Sequence, residues 1–138
     1  MDEIVLDIEQ NMDSVWAATS LARKVCLGIR HPSVDEDFVN AAELAMSEAC
    51  ANAVVHHRDD GGTGRIVVSF EIWHDKIVMK IKEKGPGFDI TAVPSPSFDK
   101  HCPGGYGIHI IRSIMDEVRY FRHGDWNVLA MTKFFGLT

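Results

Sequence analysis

The sequence predicts an α+β fold: a two-layer sandwich in which helices cover one face of a mostly antiparallel mixed sheet. Three observations predict it. Segments of period-2 alternation follow one another along the chain, and consecutive strands of this kind pair antiparallel. Two long segments repeat apolar residues three or four apart, the mark of helices with one buried face. No internal repeat and no linker divides the 138 residues, so a single domain is expected over 1–138.

Ile4-Val5-Leu6-Asp7-Ile8-Glu9 ends in alternation and reads as the first strand. Asn11 or Asp13 caps a helix from about Ser14 to Arg30, whose stripe is Val15, Ala18, Ala22, Val25 and Ile29. His31-Pro32 stops it, because the residue before proline avoids helical dihedrals. Ser33 or Asp35 starts a second helix, with Glu36 and Asp37 at its positive end, that runs to about His57. Asp59 to Gly64 is a turn. Ile66, Val68, Phe70 and Ile72 alternate along the next strand, His74-Asp75 turns the chain, and Ile77, Met79, Ile81 and Glu83 share one face of its hairpin partner.

From Lys84 to about Gly104 neither period holds, and Pro86, Pro94, Pro96 and Pro103 punctuate the stretch. A connection of about 20 residues with no periodicity is expected to be a functional lid or a disordered segment. A short helix with Ile108, Ile111, Ile114 and Met115 follows, then strands at Val118-Phe121 and Val128-Phe135.

Composition limits the function. A net charge of −6 argues against a nucleic-acid partner and suits a protein partner better. No apolar run approaches the ~20 residues of a membrane span. Met1-Asp2-Glu3 lacks the basic opening of a secretory signal, so a cytoplasmic protein is expected. Cys26, Cys50 and Cys102 are odd in number and widely spaced, which suits free thiols rather than a disulfide framework or a metal pair. His56-His57 and His101-Cys102 lack further ligands at metal spacing. Trp16, Trp73 and Trp126 are expected to pack in the core or at an interface.

Three constellations carry chemistry. Glu48 and Asn52 stand at i and i+4 in the second helix, within a stripe of Ala45, Glu48, Asn52 and Val55 expected to face the sheet. A carboxylate there needs a partner, and hydrated Mg²⁺, which favours oxygen ligands, would supply one. In Glu83-Lys84-Gly85-Pro86-Gly87, Glu83 is expected to point inward at the strand's end, with Gly85 and Gly87 allowing a flat ligand to approach closely. Its carboxylate would accept from an exocyclic amine such as that of adenine. Gly104-Gly105-Tyr106-Gly107 opens a helix, and its free N–H groups and dipole favour phosphate. Singly, each also fits an ordinary helix edge, a glycine turn or a flexible linker. Together, in this order, they supply metal, base and phosphate contacts for one nucleotide.

That order resembles the GHKL (Bergerat-fold, HATPase_c) ATPases, with an N-box helix, a DxGxG box, a lid and a GxG box. Within them the chain looks most like the anti-sigma-factor serine kinases of the RsbW type. Leu44-Ala45-Met46-Ser47-Glu48-Ala49-Cys50-Ala51-Asn52-Ala53-Val54-Val55-His56 resembles their N-box, and Met115-Asp116-Glu117-Val118 their usual continuation after the GxG helix. The resemblance implies the Bergerat ATP-binding fold and an ATP-dependent serine/threonine kinase. Glu48 would be the general base, and Asn52 would bind ATP through Mg²⁺. Glu83 would read adenine, Gly85 and Gly87 would line it, and Gly104, Gly105 and Gly107 would hold the phosphates. The implied partners are an anti-anti-sigma (STAS) protein, a sigma factor and a second copy in a homodimer, with no membrane and no direct nucleic-acid contact.

Two features depart from the family pattern. Glu83 replaces an Asp, one methylene shorter, and Trp126-Asn127 replaces a Gly-Thr pair near the base, where an indole is expected to crowd the pocket. These departures imply an alternative, a catalytically weak or inactive module that grips partners without phosphoryl transfer.

Overall fold

The structure, a computed structural model, describes residues 1–56, 64–84 and 105–136. The elements in chain order are β1 (Asp2–Glu9), α1 (Met12–Leu27), α2 (Glu36–His56), β2 (Arg65–Ile72), β3 (Lys76–Lys84), α3 (Gly105–Ile114), β4 (Glu117–His123) and β5 (Trp126–Phe134). The lid expected between Lys84 and Gly104 lies outside the described residues.

Local chemistry sets the helix ends. Asn11, in extended conformation, accepts from Ser14 N through its side chain, so it and not Asp13 is the N-cap of α1. Such a cap contributes about 1 kcal/mol. Asp35 does the same for α2, its Oδ1 accepting from Phe38 N at 2.9 Å. The far end of α1 corrects the sequence expectation: the helix stops at Leu27, not Arg30, and His31-Pro32 does not set the stop. Gly28, whose N–H turns back to the Lys24 and Val25 carbonyls, ends it, in keeping with glycine's poor helix propensity.

The five strands lie in the order β1-β2-β3-β5-β4, and all four pairings are antiparallel. The expected mixed character is absent among the described strands for a topological reason. Two helices separate β1 from β2, so the chain re-enters the sheet in the opposite direction. One helix separates β3 from β4, which makes those two run the same way, but β5 sits between them. The β4–β5 hairpin turns at Gly124, whose φ of 61° is the left-handed conformation that glycine adopts without strain.

One face of the sheet is covered. Ile66, Val68 and Phe70 of β2, Ile77, Met79 and Ile81 of β3, and Leu129 and Met131 of β5 are buried with Ala18, Ala22, Met46, Ala49, Ile108 and Ile111 of the helices. Asp116 ties the α3–β4 junction to β5: its N–H donates to Thr132 O, and its Oδ2 accepts from Phe134 N at 2.7 Å. The opposite face carries no helix among the described residues. Arg23 bridges α1 and α2 by donating to Glu36 at 2.9 Å and Glu43 at 3.0 Å. These groups are well exposed, so the clamp fixes register more than it stabilises.

The tryptophans do not enter the core. Trp16 is 78% exposed, Trp73 is exposed, and Trp126 lies half-buried on the helix-free face. The thiols of Cys26 and Cys50 are buried. Burial pushes the Cys26 thiol up to about 11, and burial with the nearby Glu83 charge takes Cys50 to about the same value. A thiol pKa raised by folding favours the protonated form, so its contribution to stability is full below about pH 8.5 and fades as pH climbs through the folded value. Iodoacetamide at about pH 8.5 should therefore leave both residues unmodified in the folded protein and alkylate both in urea, as read by peptide mass mapping. Equal labelling in the two states would contradict this burial.

Candidate functional site

Three elements converge at the centre of the helix layer. α2 carries Glu48 and Asn52, one turn apart on the flank that faces α3. The predicted stripe of Ala45, Glu48, Asn52 and Val55 therefore does not face the sheet as a whole. Ala45 is buried, Glu48 and Asn52 are half-buried, and Val55 is exposed. A stripe of i, i+3 and i+4 steps drifts around a long helix, and its polar pair lands against the neighbouring helix.

α3 meets that pair through Gly107. A Cβ at this position would lie 2.8 Å from Asn52 Nδ2, 3.1 Å from Glu48 Oε2 and 3.2 Å from Asn52 Oδ1. A methyl there would push the Asn52 and Glu48 side-chain ends aside, and the first turn of α3 rests directly on these two polar side chains. Gly105 opens the same helix. Its leading N–H groups have no intrahelical partner by geometry and carry the positive end of the dipole. Gly85, Gly87 and Gly104 lie outside the described residues, as do His57, His101 and Cys102.

β3 brings in Glu83. It points inward with Ile77, Met79 and Ile81, as the strand's alternation requires, and is 5% exposed. Glu83 and Asn52 line one small cavity of about 20 Å³, with Ala49, Ile108, Tyr120 and Asn127 among its walls. Glu48, Asn52, Glu83 and Gly107 are therefore brought together by α2, β3 and α3.

Trp126 corrects the expectation that an indole crowds this pocket. It pairs with Lys84, next to Glu83, so alternation sends it through to the other face of the sheet. There it lies 5.0 Å from Lys84 Nζ and lines grooves with Val67, Lys82 and Phe121. Asn127, its neighbour, faces the cavity instead and is 3% exposed. Sequence reasoning passed over Asn127 as a site residue, and over Tyr120 and Arg122 with it. The signal was strand parity: Asn127 registers with Glu83 on one side and Arg122 on the other. Arg122 Nη1 donates to Asn127 Oδ1 at 3.3 Å.

The donor set fits one kind of ion. Among the described residues His, Cys, Asp and Glu nowhere gather in threes. Asn52 and Asn127 bring carboxamides to the site and Glu48 and Glu83 bring carboxylates, while Asn52 Nδ2, a donor, is buried with no protein partner among the described residues. The Asn52 oxygen and the Glu48 carboxylate are hard oxygen donors of the kind Mg²⁺ takes, and not the Cys and His ligands typical of zinc. No helix among the described residues is long and apolar enough to cross a membrane.

Comparison with known proteins identifies a family and named relatives. Residues 9–133 match the family described as the histidine kinase-like ATPase domain. Among curated relatives, the serine-protein kinase RsbW of Bacillus subtilis (strain 168) is 31% identical over 106 residues, covering 71% of this chain and 66% of that protein. The serine-protein kinase RsbW of Staphylococcus aureus (strain MSSA476) is 32% identical over 137 residues, covering 92% of this chain and 86% of that protein. The chain thus spans 66% of the length of the first relative and more of the second.

The contact at Gly107 makes a measurable prediction. Alanine favours a helix over glycine by about 1 kcal/mol, while overpacking costs roughly 1–3 kcal/mol. Gly107→Ala should therefore lower stability in urea unfolding by about 1 kcal/mol in the wild-type background. In an Asn52→Ala background the same change should be neutral or stabilising, since its nearest obstacle is gone. Equal effects in both backgrounds would contradict the contact.

Proposed function

The chain belongs to the histidine kinase-like ATPase domain family, and on that premise we propose that it is an ATP-dependent serine kinase serving as a cytoplasmic anti-sigma regulatory factor. Its substrate in this reading is a serine of a STAS-type anti-anti-sigma antagonist, and its second partner is a sigma factor that it sequesters. Phosphorylating the antagonist releases it and frees the kinase to hold sigma again. The observation that carries the reading is the meeting of Glu48 and Asn52 with Gly107 at the start of α3. The names of the relatives, serine-protein kinases, support the activity.

Each residue has a distinct task. Glu48, half-buried beside α3, takes the proton of the serine hydroxyl as its oxygen bonds to the γ-phosphorus. The bond from that phosphorus to the bridging oxygen breaks, and ADP leaves. The N–H groups at the start of α3, with Gly104, Gly105 and Gly107, hold the phosphates. Mg²⁺ bound at Asn52 would neutralise phosphate charge. Glu83 would accept from the adenine amino group. The work is positioning and electrostatics, which is what phosphoryl transfer asks of a protein.

A homodimer is part of the same reading, and the helix-free face of the sheet supports it. β1 presents Glu3, Val5, Asp7 and Glu9 there, while β3 presents Lys76, Lys80, Lys82 and Lys84. Beside the lysine row, on the β5 and β4 side, Phe121, Trp126 and Val128 line a groove of about 380 Å³ with Lys80, Lys82 and Val67. A two-fold pairing that lays the acidic row of one copy on the lysine row of the other would be self-complementary.

Calorimetry with Mg-ADP and Mg-ATP tests nucleotide binding. Wild type should bind in the micromolar range, and Asn52→Ala should weaken binding by roughly tenfold or more. Radiolabelled ATP with a STAS-protein substrate should label a serine, and Glu48→Gln should lower the rate by about 10²-fold or more while nucleotide binding persists. Tight partner binding with no transfer by the wild type would favour the rival, a partner-gripping module, which Glu83 in place of Asp supports and the outward-facing Trp126 does not.

A further inference from the structure

α2 carries a second pattern beside its buried one. Asp37, Ala41, Leu44, Glu48, Ala51 and Val55 follow one another at alternating steps of four and three. Such steps average about 3.5 residues, close enough to the helical repeat to lay all these side chains along one line. That line is on the solvent side of the helix. Leu44 is 43% exposed and Val55 39%, Asp37 is exposed, and Ala41, Glu48 and Ala51 are half-buried. The side turned inward, with Ala42, Ala45, Met46, Ala49 and Ala53, is buried.

The flanks of the line are fixed by other helices. On one side Arg23 of α1 donates to Asn40 at 3.4 Å and to Glu43 at 3.0 Å. On the other, Gly107 of α3 meets Glu48 and Asn52. Between the two the line stays open to solvent, although it is apolar at every position except Asp37 and Glu48.

An exposed apolar seam of about 3.5-residue period is what one helix offers another, because it keeps facing the partner turn after turn. Ala41 and Ala51 let a partner backbone come close, and Leu44 and Val55 supply apolar area to bury. Glu48 stands in the middle of the seam. A Cβ at Gly107 would lie 3.1 Å from its Oε2, so the carboxylate end reaches the first turn of α3. A side chain that enters between Leu44 and Ala51 therefore meets the carboxylate beside that turn. Charge limits the partner further. α2 holds Glu36, Asp37, Glu43 and Glu48 and no Lys or Arg, and Arg23 bridges only Glu36 and Glu43. A segment that lies here is neutral or basic.

We propose that this seam is the docking site for the protein substrate, which presents its serine on an α-helical segment laid along α2. The inference rests on the kinase reading above and gives the substrate a pattern. The serine faces Glu48, and apolar residues one turn to either side face Leu44 and Ala51. An apolar residue about two turns from the serine faces Val55, and a Lys or Arg about three turns away in the other direction faces Asp37.

Steady-state phosphorylation of a STAS-protein substrate by the full chain tests it, with KM and kcat separated and Mg-ADP affinity measured alongside. Leu44→Gln and Val55→Gln keep a helix-forming residue at an exposed position. Each should raise KM for the protein about tenfold, while kcat and Mg-ADP affinity stay within about twofold. Asp37→Lys should raise KM about threefold at low salt, an effect that high salt removes. Leu27→Gln alters a still more exposed leucine at the end of α1 and should leave KM within about twofold.

An unchanged KM in both Leu44→Gln and Val55→Gln would overturn the proposal. So would a fall in kcat at constant KM, a matching loss of Mg-ADP affinity, or an equal rise in KM from Leu27→Gln. Thermal melting checks folding, and should Leu44→Gln fail to fold, Val55→Gln decides alone. Failure of the wild type to transfer phosphate to any STAS protein would be a different result: it would remove the kinase reading, and this inference with it.

Discussion

The close approach of Gly107 to the ends of the Asn52 and Glu48 side chains is the contact on which the architecture of the site depends. With only hydrogen there, the first turn of α3 settles onto Glu48 and Asn52 of α2. The helix start, a carboxylate and a carboxamide then meet at one point. Moving α3 outward by the width of a methyl group would separate the helix N-terminus from the two side chains. The buried Asn52 Nδ2 would then face a void rather than a ligand site. An unsatisfied polar atom costs roughly 1–3 kcal/mol, a cost a bound ligand would offset. Stability is thus spent at the place where the proposed function needs a polar, enclosed space.

Much of this was legible in the residues because each piece has a short-range cause. The i, i+4 spacing of Glu48 and Asn52 puts them one above the other whatever the fold. Glu83 inherits its inward direction from Ile77, Met79 and Ile81. Glycines before a helix mark a place of close approach. The failures have causes that local pattern does not carry. α1 stops at Gly28 because a glycine with a satisfied turn outweighs a proline four residues on. The mixed sheet is fully antiparallel because β5 enters between β3 and β4, a choice made by long-range pairing.

Trp126 and Asn127 show how much a one-residue parity decides. Read as a pair near the base, the large residue draws attention as an obstacle. In the β3–β5 register the pair splits across the sheet, with Trp126 over Lys84 on the helix-free face and Asn127 against Glu83 in the cavity. The same split divides the two proposed roles of the sheet. One face builds the nucleotide site with the helices. The other, with its acidic strand, lysine row and half-buried aromatics, is suited to a protein surface. β5, paired with β3 throughout, connects them.

Two-dimensional ¹⁵N NMR during titration with Mg-ADP tests most directly whether α2, β3 and α3 enclose one ligand site on the helix-covered side of the sheet. The Asn52 side-chain amide and the Gly107 and Ile108 backbone amides should shift together along one binding curve, while the Trp126 indole N–H stays in place. Shifts centred on the Trp126 indole, with the Asn52 amide unmoved, would contradict it.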